Sequence, residues 1–297
     1  MRKAYFGLII LISQSVYSQV DYRWWNAIHN WDGHTSWQNY MTISSAFMGP
    51  NALPVPDITK GRLDSTIQFE TGGDVHFSTG DHTQDFFVRG YLPISDGKVA
   101  LSIEVIPVEW FKTDTITRDM RASRGKSGIG KAGGDIYITT YVQVLKQHHS
   151  LPDLALRIAL RTASGTNLGE ARYTDGPGYY FDLSGGKSWR KESFFLNEIR
   201  LYAMSGLYVY QTFDILHLQN DCFLYGGGID FHFSEFVFSQ EVSGYSGYLK
   251  NGDKPLVYRS SLQWKKNNVK LKFSYQHSLR DFPAERIRLG VGLELSK

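Results

Sequence analysis

The chain has 297 residues, a formal net charge of +3 and one cysteine. So small a charge argues against a nucleic-acid partner, and a lone Cys222 rules out an internal disulfide. Aromatic residues make up 14% of the chain and glycines number 29, a composition that suits membrane barrels, with their aromatic girdles and glycine bends, but also secreted sandwiches.

The first residues read as a secretory signal. Arg2 and Lys3 give a positive start, Ala4 to Ile12 is apolar apart from Gly7, and Ser13 to Ser18 is polar and small. Val16 and Ser18 fall where a signal peptidase reads, so residues 1–18 are expected to be a cleaved leader. The apolar run is too short to span a bilayer as a helix, which takes about 20 residues. Gln19, not cysteine, would begin the mature chain, which argues against a lipid anchor. No later stretch is apolar enough for a transmembrane helix. Export without such a helix leaves the periplasm, the medium and the outer membrane as destinations.

Residues 19–62 follow a different pattern. They carry Trp24, Trp25, Trp31 and Trp37, lack period-2 alternation, and end in a stretch with Pro50, Pro54 and Pro56. So many aromatics argue against a disordered leader. The segment is expected to form a periplasmic arm with a short helix near Trp37–Phe47, or to fold into the barrel as a plug.

From residue 63 the pattern becomes strand-like. Twelve strands are expected, at about 63–77, 85–94, 99–111, 135–147, 154–163, 178–189, 195–211, 221–234, 236–244, 255–266, 269–278 and 285–295. In the last, Ile287, Leu289, Val291, Leu293 and Leu295 share one face, and Arg286, Arg288, Gly290, Gly292 and Glu294 the other. Connections after even-numbered strands are mostly short, as at Ser95–Lys98, Glu235 and Asn267–Asn268. Those after odd-numbered strands are mostly long, as at Lys112–Gly134 and Ser164–Pro177. Short periplasmic turns, long external loops and an even strand count mark an outer-membrane barrel. The expected fold is therefore all-β, a transmembrane antiparallel β-barrel of about twelve strands over 63–297, with a Trp-rich N-terminal periplasmic arm or plug.

A family likeness adds to this. The stretch Gly134-Asp135-Ile136-Tyr137, followed by Pro152-Asp153-Leu154-Ala155-Leu156-Arg157 and on to Gly165, resembles a strand pair of the phenol-degradation-pathway outer-membrane barrels. The leader ending in Ser18-Gln19 resembles those of Bacteroidetes-type outer-membrane proteins. The resemblance covers about a quarter of the chain and implies a barrel that passes or binds small organic molecules.

Candidate chemistry is of four kinds. The faces expected to look inward hold Arg89, Glu104, Arg157, Arg161, Asp182, Glu198, Arg200, Asp230, Arg259, Lys270, Lys272, Arg286 and Arg288. They either line a water-filled pore, whose slight basic excess favours anions, or pair across a closed lumen. The long loop near 112–134 carries Arg118, Arg121, Arg124, Lys126 and Lys131, a set suited to lipopolysaccharide phosphates. Gly128, Gly130 and Gly133 spell Gly-x-Gly-x-x-Gly, but no strand precedes them and no helix follows, so no nucleotide site is expected. His76 and Ser78 share a strand face near an external loop and are the candidates for a barrel-resident lipid hydrolase.

No catalytic residue, cofactor or metal site is assigned, and His148-His149 reads as a solvated turn. Passive passage or binding of a small solute is the expected function, with a closed envelope scaffold and a lipid hydrolase as alternatives. The expected partners are outer-membrane lipid and lipopolysaccharide, the solute, and a periplasmic protein reached through residues 19–62.

Overall fold

The structure, a computed structural model, describes residues 21–95, 97–190 and 196–295. The leader expected over 1–18, with its cut after Ser18, lies outside the described residues. Thirteen strands follow one another: β1 (Ile67–Ser78), β2 (Asp81–Ile94), β3 (Val99–Thr113), β4 (Ile129–Ala132), β5 (Tyr137–Leu145), β6 (Asp153–Arg161), β7 (Gly178–Arg190), β8 (Glu198–Gln211), β9 (Gln219–His232), β10 (Phe236–Ser246), β11 (Leu256–Lys266), β12 (Val269–Arg280) and β13 (Glu285–Leu295). All pairings are antiparallel. Twelve of the strands close a circuit, because β1 pairs with both β2 and β13, and β3 pairs with both β2 and β5. The short β4 hangs on the upper part of β3, outside that circuit. Closure leaves the twelve strands of the circuit without a free edge, which a bilayer requires.

The side chains sort as the alternation predicts. On β13, Leu289, Val291, Leu293 and Leu295 are exposed while Arg288 is buried. On β6, Ile158 and Leu160 are exposed while Arg157 and Arg161 are buried. Large apolar groups outside and charges inside invert the order of a soluble protein and fit a lipid-facing wall. Among the described residues, no helix is long and apolar enough to cross a membrane. The chain is a transmembrane β-barrel of the outer-membrane type.

Short connections, such as 95–98, 233–235 and 267–268, gather at one end; long ones, such as 114–128 and 162–177, gather at the other. The first hairpin departs from the expected loop: β2 starts at Asp81, and Gly80 closes a tight turn at φ +80°. Its upper half was hidden because His82 and Gln84 face outward above the apolar band. The helix expected near Trp37–Phe47 is only a 3-10 turn at Trp37–Tyr40, while an α-helix, α1, forms at Arg23–Ile28. Ser44 and Ser45 spend their hydroxyls on the carbonyls of Asn251 and Gly252, which competes with helix.

Candidate functional site

The interior is not open. The segment before β1 threads the lumen from the long-loop end to the short-turn end. At the upper mouth α1 docks on the loop that contains α2 (Thr115–Met120). Trp25 is buried and its indole N–H donates to the Ala122 carbonyl at 3.0 Å. The Arg124 guanidinium stacks 3.4 Å from the Tyr22 ring centre and also faces Trp25 and Trp37, and Arg118 lies 4.4 Å from the Trp24 ring centre. The Trp-rich stretch expected to form an arm below the barrel therefore sits among the long loops. The same contacts correct the lipopolysaccharide reading of three residues. Arg118 and Arg121 are buried, Arg121 holding Asp81 at 2.5 Å, and Arg124 is spent on the aromatic head. Lys126 and Lys131 remain exposed.

Below the head the chain descends as Gly49 to Leu63. Its carbonyls are met by donors from the wall. Arg161 donates to the Ala52 carbonyl at 2.6 Å, Tyr245 to Leu53 at 3.0 Å, Arg259 to Val55 at 2.5 Å, Arg200 to Lys60 at 2.8 Å and Gln143 to Gly61 at 2.8 Å. The three prolines fit this arrangement. The wall offers mostly donors, so proline nitrogens, which need no acceptor, leave no orphan amide. Ala52, Leu53, Val55 and Ile58 pack with Tyr202, Tyr208, Leu224 and Val257 as one apolar core between plug and wall.

The predicted lumen charges all face this interior, and most are committed. Arg89 holds Glu104 at 2.6 Å, Arg157 holds Asp182 at 2.6 Å, Arg200 holds Asp153 at 2.9 Å and Arg288 holds Asp74 through both oxygens. Asp230 takes the plug's Lys60 at 3.0 Å, Glu198 takes Arg190, and Lys270 pairs with Glu294. Arg161 and Arg259 serve chiefly the plug carbonyls. Lys272 and Arg286 make no hydrogen bond or ion pair among the described residues.

One cluster was not foreseen. Asp74, Asp85 and Glu109 stand opposite one another across β1, β2 and β3. Asn51 of the plug donates to both Asp85, at 2.8 Å, and Glu109, at 2.7 Å. The loop residue Arg172 folds inward to hold Glu109 at 2.6 Å and Asp81 at 2.8 Å. His76 lies 3.0 Å from Asp85. Asp74, His76 and Asp85 bring candidate ligand atoms within 4.8 Å of one another, but Arg288 occupies Asp74 and puts a positive charge where a cation would sit. His76 points into the lumen, and Ser78 donates to its neighbour Asp81, so this pair is not on the lipid-facing side where a lipid hydrolase needs it. Cross-strand acids are hard to find in sequence because nothing local marks their register.

Plug and wall do not fill the lumen. A crevice of about 310 Å³ runs beside the plug, between Pro54–Asp64 and wall residues including Arg89, Glu104, Tyr137, Tyr141, Arg157, Tyr180 and Arg286. At the short-turn mouth a wider hollow of about 550 Å³ is lined by Arg62, Leu63, Gln143, Lys146 and Arg190 among others. Arg62 and Leu63 border both.

No protein-family model and no curated protein matches the chain. Among solved structures, the KdgM porin is 13% identical, with a TM-score of 0.48 over 78% of this chain and 99% of that one. The NanC porin is 12% identical, with a TM-score of 0.48 over 76% and 100%. An outer-membrane channel from Pseudomonas putida F1 is 11% identical, with a TM-score of 0.49 over 82% and 97%.

Proposed function

We propose that the protein sits in the outer membrane and binds or passively passes a small solute along the crevice between its plug and its wall. The observation that carries this is the crevice itself, a space lined by both charged and apolar side chains that meets a wider hollow at the short-turn mouth. Its volume lies at the small end of ligand sites, about 300–1,000 Å³. The likeness of Gly134–Gly165 to phenol-degradation-pathway outer-membrane barrels supports a small organic molecule as the solute. Lys126 and Lys131 are left as the loop's contacts to lipopolysaccharide phosphates.

Liposome swelling checks the reading. Vesicles carrying the full-length protein should swell in solutes of monosaccharide size and resist those of tetrasaccharide size. Swelling no faster than empty vesicles would refute passage. It would favour the closed scaffold, in which the plug serves only as core.

A further inference from the structure

We infer that the crevice is a binding site for a small organic monoanion, whose carboxylate is held by Arg286. This rests on the reading of the crevice as a solute site.

The charges that line the crevice are nearly all spoken for. Arg89, Arg157 and Arg288 each hold a carboxylate at hydrogen-bonding distance, and Arg62 lies 3.8 Å from Glu198. Arg286 lines the same space without a hydrogen bond or ion pair among the described residues. Its cross-strand neighbours are His76 on β1 and Gln276 on β12. The Gln276 side-chain oxygen accepts from Arg259 at 2.9 Å, and His76 is engaged by Asp85 at 3.0 Å. The Arg286 Nε is buried with no acceptor. Arg286 as a whole is half-buried, but a buried guanidinium N–H left so is costly, and an anion that reaches it from the crevice removes that cost.

A further polar atom points to the same ligand. The Thr59 hydroxyl, on the plug, is buried without a partner and lines the crevice, and the Tyr137 hydroxyl, on the wall beside Tyr208, lines it too. A planar guanidinium suits the two oxygens of a carboxylate, and neutral hydroxyls add donors without adding charge. Asp57 and Glu104 also line the space, so a second negative charge on the ligand would be repelled. Tyr141, Tyr180, Pro54 and Ile106 supply flat and apolar surface for a compact body. Arg62, Lys146 and Arg190 at the outer hollow attract anions toward the entrance.

Equilibrium dialysis of the full-length protein in detergent tests this with three probes: benzoate, gluconate and the neutral benzyl alcohol. Benzoate should bind saturably, and benzyl alcohol about tenfold or more weaker. Arg286→Gln should bring benzoate down to the level of benzyl alcohol, Arg286→Lys should restore part of the loss, and Arg190→Gln should change saturation little. Gluconate binding better than benzoate, with the same dependence on Arg286, would keep the carboxylate site and assign it a hydroxylated body. Equal binding of benzoate and benzyl alcohol, or unchanged benzoate binding in Arg286→Gln with its heat-modifiable mobility intact, would overturn the monoanion inference alone. No binding of any probe would overturn both it and the solute-site reading.

Discussion

Arg161 shows how one side chain ties the two parts of the molecule together. It is fully buried, donates to the Ala52 and Gly176 carbonyls and lies 3.6 Å from Asp135. Removing it leaves the plug carbonyl and the carboxylate without their partner. Arg161→Met should therefore cost about 3–5 kcal/mol, seen as a lower urea midpoint and faster trypsin cleavage within residues 41–62. His29 carries a pH effect. Its ring packs tilted against Trp25 in the head, its Nε2 is buried without a partner, and burial lowers its pKa; the nearby Asp119 opposes this and Arg118 adds to it. A histidine whose folded pKa is depressed binds protons better when undocked. Its contribution is whole above the unfolded value of about 6.5 and fades as pH falls through the folded one. Lowering pH from about 7.5 to about 5.5 should loosen the head and change tryptophan emission, and His29→Gln should abolish the change. An equal change in that variant would assign it elsewhere.

At the scale of elements, the strands were legible because each has one neighbour it cannot share: lipid outside, plug and water inside. All twelve expected segments reappear as strands of the closed circuit, with ends moved by a few residues. The apolar faces of β6 and β13 needed nothing beyond their own sequence to be placed. The plug was legible only as something aromatic and irregular. Its path is fixed by Arg161, Arg200, Arg259 and Tyr245, which lie 109 or more residues away from the carbonyls they meet, and no local spacing encodes such pairs. For the same reason Arg118 and Arg124 read as contacts to lipopolysaccharide phosphates, when Arg118 faces Trp24 and Arg124 faces Tyr22. Gly61, where the plug leaves the lumen, has φ +76°, and a Cβ there would lie 2.6 Å from the Gly186 amide nitrogen. Gly61→Val should displace the lower plug while leaving strand content by circular dichroism unchanged. Its signature would be new trypsin cuts near Lys60 and Arg62; an unchanged cleavage pattern would refute the tight passage.

The molecule as a whole behaves as two nested parts, a barrel held by lipid and an inner strand held by the barrel. The outer claim is tested by Leu289→Arg, which puts a charge near the middle of the apolar stripe on β13. It should destabilise the folded barrel by about 2–4 kcal/mol in bilayers, whereas a neutral result would move that stripe out of the hydrocarbon. The inner claim is that the plug, rather than the barrel wall, limits what crosses. Single-channel recording in a planar bilayer tests it most directly, comparing the full-length protein with a variant lacking residues 21–62. The account predicts small discrete steps for the full-length protein and steps severalfold larger once the lumen is emptied. Equal conductance in the two, or silence in both despite correct insertion, would contradict it.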